Sequence, residues 1–270
     1  MVGRVISWVA ALAVGLVVSV AAQAASLRAS YGFNGTLAAD QAGAPALMAI
    51  DPLSQNGFET AVVHGVSRTV YRWSGDGSDA LRQAGLALDA SSLLPDYASY
   101  SVALTFEFAT TAQTGSGWRR IVDTEARQSD AGFYVSPEQK LQTVQIYATD
   151  NVLVSGNTSF TTPGFHDVLL SVAPEAGRQR VTAYLDGQLE ISTLTDTFTL
   201  ANANNPQHLL TFFADNVASN AQQEFASGRI ASLVLFDAAV TPAAVPEPQV
   251  VLLWLAGLLL VPAAARARRR

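Results

Sequence analysis

The chain has 270 residues, enough for one large or two small domains, with 49% apolar residues, 14% charged residues and a formal charge of −6. Between Ser26 and Thr241 there are 11 basic against 21 acidic residues, a balance of −10 that argues against a nucleic-acid backbone as partner. There is no cysteine, so disulfides, thiolate metal sites and cysteine-linked lipid are excluded.

Residues 1–25 read as a secretory signal peptide. Arg4 supplies a positive start, Val5 to Val20 is predominantly apolar, and Ala22-Gln23-Ala24 is the small-x-small pattern that signal peptidase accepts. The alternative is an N-terminal membrane anchor. The body that follows, 26–241, is one domain of short strands. Asp79 to Leu94 is Ala/Leu-rich and has room for a short helical turn. From Tyr100 to Phe108, Tyr100, Val102, Leu104, Phe106 and Phe108 alternate with Ser101, Ala103, Thr105 and Glu107, the period of a half-buried strand.

Val144 and Ile146 alternate with Thr143 and Gln145, and Val168, Leu170 and Val172 open another run after Phe165. Val181–Leu185 and Leu189–Ile191 flank Asp186-Gly187, a pair that tolerates positive φ and closes a two-residue hairpin. Leu209–Phe213 and Ile230–Phe236 are more continuously apolar, as central strands covered on both faces are. No segment of the body carries a long helical period. The expected class is all-β, an antiparallel β-sandwich, flanked by an N-terminal signal helix and a short C-terminal transmembrane helix.

Residues 242–249 form a Pro-rich linker, 250–265 an apolar stretch and 266–270 an arginine tail. About 16 residues rise roughly 24 Å as helix, marginal for a bilayer core of about 30 Å. Arg266, Arg268, Arg269 and Arg270 would stay cytoplasmic as a stop-transfer tail. The order Pro246-Glu247-Pro248, short apolar helix, terminal arginines resembles the PEP-CTERM sorting signal; a plain tail anchor is the alternative reading. The resemblance implies an exosortase and signal peptidase as processing partners. It also implies transient residence in the inner membrane of a Gram-negative bacterium, then display at the cell surface or in the extracellular matrix.

In the body, Tyr31-Gly32-Phe33-Asn34-Gly35 with Asp40 and Gly43, Phe165-His166-Asp167-Val168, Tyr184-Leu185-Asp186-Gly187 and Gly228 to Asp237 together resemble a concanavalin A-like, laminin-G-type (LamG) jelly roll. That resemblance implies a glycan- or protein-binding adhesion module, with extracellular polysaccharide as a partner and calcium in some members; some relatives of the fold are glucanases. Retaining glucanases need two carboxylates about 5 Å apart. Asp123-Thr124-Glu125 comes nearest to that pattern, but Arg127 stands where a third carboxylate would, and a solvated strand edge explains these residues better.

His64, His166 and His208 have no metal-ligand spacing, and no Gly-x-Ser-x-Gly elbow exists. No catalytic residue and no cofactor are expected, and the chain reads as a non-enzyme. Calcium is the one metal left open, through the hard oxygen donors of Asp215 and Asn216 or of the loop Asp76-Gly77-Ser78-Asp79, with ordinary turn residues as the alternative at both places. Trp73, Trp118, Tyr71 and Tyr147 are aromatic candidates for sugar stacking, with core packing the more ordinary role.

Overall fold

A computed structural model describes residues 25–109, 116–146, 151–218 and 223–245. The signal segment up to residue 24, Pro246, Glu247 and Pro248, the apolar stretch, the terminal arginines and Tyr147 lie outside the described residues. Among the described residues no helix is long and apolar enough to cross a membrane.

Two antiparallel sheets face one another. The larger runs β13 (Gln188–Thr195), β12 (Arg178–Leu185), β11 (His166–Glu175), β6 (Tyr100–Phe108), β15 (Gly228–Phe236), β4 (Val66–Trp73), β3 (Gly57–Val63). An eighth strand, β1 (Leu27–Tyr31), shares the far edge of β15 with β4: β4 takes Gly228–Ile230 and β1 takes Leu233–Phe236. The second sheet runs β10 (Asn151–Ser159), β9 (Lys140–Ile146), β8 (Gly132–Val135), β7 (Arg119–Asp123), β14 (Leu209–Phe212), β5 (Gly85–Asp89), β2 (Met48–Ile50). This is the expected all-β sandwich, a jelly roll. The Ala/Leu-rich stretch after Asp79 holds only a 3-10 turn, Ala80–Arg82, before it continues as β5.

Asp186 and Gly187 adopt φ of 49° and 81°, which turns β12 back into β13 as the sequence predicted. The inner faces share one core, centred on aromatic rings. Trp73 of β4 stacks on Phe213 with ring centroids 3.8 Å apart, and Phe106, Phe108 and Phe160 surround them. Each such ring, fully buried, stabilises the fold by roughly 1.5–3 kcal/mol relative to exposure. The Trp73 Nε1–H donates to Ala226 O, so its one polar atom is also met.

The expectation that β6 is half-exposed is corrected: Ser101, Ala103, Thr105 and Glu107 are buried as well. The chain after β15 explains part of this. It crosses the outer face of the larger sheet as a strap, where Ser101 Oγ donates to Ala238 O, Ser171 Oγ donates to Val240 O, and Val240 N donates back to Ser101 Oγ. Ala103, Leu169, Phe236 and Val240 form a small apolar cluster beneath it, with Ala25 and Val245 against its edge. Pro242–Ala244 then form a 3-10 turn.

Candidate functional site

At the rim opposite the two chain ends, two consecutive arginines enter β7, and strand alternation sends them to opposite faces. Arg119 turns toward the core edge, its guanidinium 4.9 Å from the Phe108 ring centre and within hydrogen-bond reach of Thr162 and Gln139. Burial lowers its pKa to about 10. Arg120 turns to the outer face of the smaller sheet and is completely covered.

A β-bulge between Arg120 and Val122 shifts the register against β8. Ile121 and Val122 therefore both enter the core, and Asp123, three residues after Arg120, returns to the face of the arginine. Arg120 Nη1 meets Asp123 Oδ2 at 2.5 Å, and its Nη2 lies 3.3 Å from both Asp130 Oδ1 and Asp215 Oδ1. The guanidinium covers the Tyr134 ring at 4.7 Å and donates to Ser129 O. Burial works against its charge, but the acidic groups around it, Tyr134, Asp123, Asp215 and Glu224, outweigh burial and raise its pKa.

Asp123 Oδ1 accepts the backbone N–H of Glu125 and of Arg127, closing a turn in which Ala126 and Arg127 take positive φ. Arg127 reaches Asp215 O and Ala80 O. Asp215 follows β14, its backbone N–H held by Gln83 Oε1; its Oδ1 accepts from Asn216 N and its Oδ2 from Glu224 N. Asn216 Nδ2 donates to Asp130 Oδ1 and Asp215 Oδ1. Tyr134 O–H donates to Asp130 O, and Trp118 sets its ring edge-on to Tyr134. Asp130, Asp215 and Glu224 each place an oxygen within 4.8 Å of the other two. Glu224 is raised to about 8 by burial and then by Asp130 and Asp215.

These positions correct one sequence expectation and refine others. Asp123 is not on a solvated strand edge: it is 0% exposed in a buried ion pair. Glu125 lies beyond the strand, where Asn204 Nδ2 donates to it, so Asp123 and Glu125 do not form the paired carboxylates of a strand face. The structure brings Asp215 and Asn216 together with Asp130 and Glu224, two residues the sequence reading did not select. The other acidic loop closes on itself: Asp76 accepts from Ser78 N and Oγ and pairs with Arg82, while Asp79 caps Leu81 N. Trp73 and Tyr71 are core residues, and Trp118 is half-buried. His64 pairs with Asp167, His166 with Asp186 and Thr161, and His208 stacks on Tyr97 at 3.7 Å.

The carboxylate spacing alone would satisfy a retaining glycosidase. The setting differs from an open cleft: Asp215 and Arg120 are both 0% exposed, and the guanidinium stands among the carboxylates.

No protein-family model matches this sequence, and no curated protein does. Among solved structures, domain 4 of AbnA, a GH43 extracellular arabinanase from Geobacillus stearothermophilus solved with arabinotriose, is similar with TM-score 0.53 at 17% identity. The match covers 82% of this chain and 97% of that domain. A botulinum neurotoxin type C structure concerned with two ganglioside molecules matches with TM-score 0.52 at 11% identity over 80% of this chain. The binding domain of botulinum neurotoxin DC in complex with rat synaptotagmin II matches with TM-score 0.52, also at 11% identity. This chain spans about half of those two toxin chains, 48% and 49%. At these identities the likeness is one of fold.

Proposed function

We propose that this chain is an exported, non-catalytic binding module whose jelly roll attaches to extracellular glycan, displayed at the cell surface or in the matrix after exosortase sorting at Pro246-Glu247-Pro248. The observation that carries the binding half is the match to domain 4 of the arabinanase over 97% of its length, a whole domain solved with an oligosaccharide. The acidic balance of the body favours a neutral glycan over a polyanionic one. The sorting half rests on the two chain ends alone. Burial of Asp215 and Glu224 speaks against a divergent glucanase, because a sugar ring has to reach both carboxylates.

The test is retention of the purified protein on immobilised neutral polysaccharides, arabinan and β-glucan among them, together with a reducing-sugar assay on the same polymers. Saturable retention without sugar release is expected. Sugar release would establish the hydrolase instead, and no retention on any column would leave a structural matrix component. For sorting, intact mass is measured from hosts with and without an exosortase. A tail lost only in the first host is expected; a tail kept in both means a plain membrane anchor.

A further inference from the structure

The larger sheet ends on one side at an open strand. Among the described residues β3 pairs with β4 alone, and the sheet order stops there. His64 and Gly65, at φ of 47° and 83°, close β3 onto β4 as a two-residue hairpin, which makes Val63 and Val66 a hydrogen-bonded pair. Alternation gives Ala61, Glu59 and Gly57 the same role, so Phe58, Thr60 and Val62 aim their backbone N–H and C=O groups away from β4. Their side chains are exposed as well, Phe58 by 39% and Val62 by 66%. The other edges are blunted. On the opposite side of the sandwich β10 and β13 are tied across by Glu190, whose carboxylate accepts from Asn157 N and Thr158 N, and β2 is three residues long. β3 has seven residues in unbroken register, with no proline, no lysine and no bulge, the devices that keep a solvated edge from pairing. Its single charge, Glu59, turns to the outer face, where Arg72 and Arg229 hold it.

We propose that this edge is an interface between two copies of the chain, joined β3 to β3 in antiparallel register about a two-fold axis at Thr60. That register engages all the outward backbone groups. Thr60 lies opposite its own counterpart and Phe58 opposite Val62 of the second copy, and the three pairs make about six backbone hydrogen bonds. An aromatic ring beside a β-branched side chain and a Thr–Thr pair are both favourable neighbours across strands. Glu59 falls opposite Ala61, so no like charges are directly opposed, and its own charge is already met by the two arginines. The same seven residues thus complement themselves, which is what an isologous contact requires and what favours a second copy over a foreign strand. Paired this way, the two larger sheets run on as one, and two sandwiches become one body. If each sandwich holds glycan, the pair gains avidity without any new contact to the sugar. The pairing itself does not depend on the glycan reading.

The purified full chain is followed by sedimentation velocity over a series of dilutions, and a reversible monomer–dimer equilibrium is expected. Val62→Lys places a charge on the edge and Thr60→Pro removes an outward N–H. Each should weaken the dimer at least tenfold while the circular dichroism of the dilute monomer stays unchanged. Leu189→Lys, on the opposite edge strand of the same sheet, should leave the dimer as it was. The chain has no cysteine, so an introduced one reports a single contact. Under mild oxidation Thr60→Cys should link to its own counterpart, since hydrogen-bonded partners on paired strands stand about 5.5 Å apart between Cα atoms, within disulfide range. Phe58→Cys and Val62→Cys should link to each other when mixed and not to themselves when alone. Monomer at every concentration overturns the proposal. So does a dimer that survives both Val62→Lys and Thr60→Pro, or a Phe58→Cys chain that links to itself as readily as to Val62→Cys.

Discussion

Replacing Arg120 by methionine tests whether the rim cluster is one coupled unit. Methionine keeps most of the side-chain volume and removes the charge. It leaves Asp123 and Asp215, both 0% exposed, without the guanidinium that now sits 2.5 and 3.3 Å away. Removing one partner of a buried pair costs about 3–5 kcal/mol, because the other charge stays behind without compensation. Against a total stability of about 5–15 kcal/mol that is a large fraction, and for a domain of this size it corresponds to a fall in Tm of roughly 6–20 °C. The assay is urea unfolding in EDTA followed by tryptophan fluorescence, with the slope checked so that only the midpoint moves. Adding Asp123→Asn to the methionine variant should restore part of the loss, since it removes a stranded charge. A cost below about 1 kcal/mol, the value of an exposed pair, or no recovery in the double variant would refute the buried-network reasoning.

Two further outcomes follow from the packing. Glu224 has a pKa raised from 4.5 to about 8, so the folded chain holds that proton more tightly than the unfolded one. In EDTA, stability should therefore fall as pH rises through that window, and the difference between wild type and Glu224→Gln in urea midpoint should shrink or reverse from pH 5 to pH 8; a flat difference would refute it. At the start of β15, a Cβ on Gly228 would lie 2.3 Å from Glu107 O and 2.4 Å from Trp73 Cζ2. Gly228→Ala should therefore cost about 3 kcal/mol, the upper part of the overpacking range, and a thermal melt within 1 °C of wild type would refute that contact.

Periodicity made much of the fold legible. Alternating runs marked β6, β11 and β12, and Asp186-Gly187 marked its hairpin, because period two and positive-φ turn residues are local properties. What the pattern concealed was cover from distant chain. Ser101 and Thr105 read as solvent-facing because nothing in the sequence places the strap or the neighbouring strands over them. The rim cluster was hidden for a related reason. The bulge after Arg120 breaks period two and returns Asp123 to the face of Arg120, and β7 ends at Asp123, so the strand face that period two gives Asp123 and Glu125 does not exist. Two adjacent arginines at the head of an apolar strand were the available signal. Asp130 and Glu224 are loop residues 94 apart in number, and only strand pairing brings them together.

The two ends of the sandwich are mechanically unlike. Leu27 pairs with Phe236, and Ser26 and Asp237 exchange hydrogen bonds, so both termini of the body leave from the same place. Tension between those termini would peel β1 from β15 one bond at a time. Tension between the Phe236 end and the rim that holds Arg120 runs along β15 instead. There the hydrogen bonds to β6 and β1 carry the load side by side and must yield together. A protein tethered by its carboxyl end and pulled through its far rim would be loaded in its stiff direction.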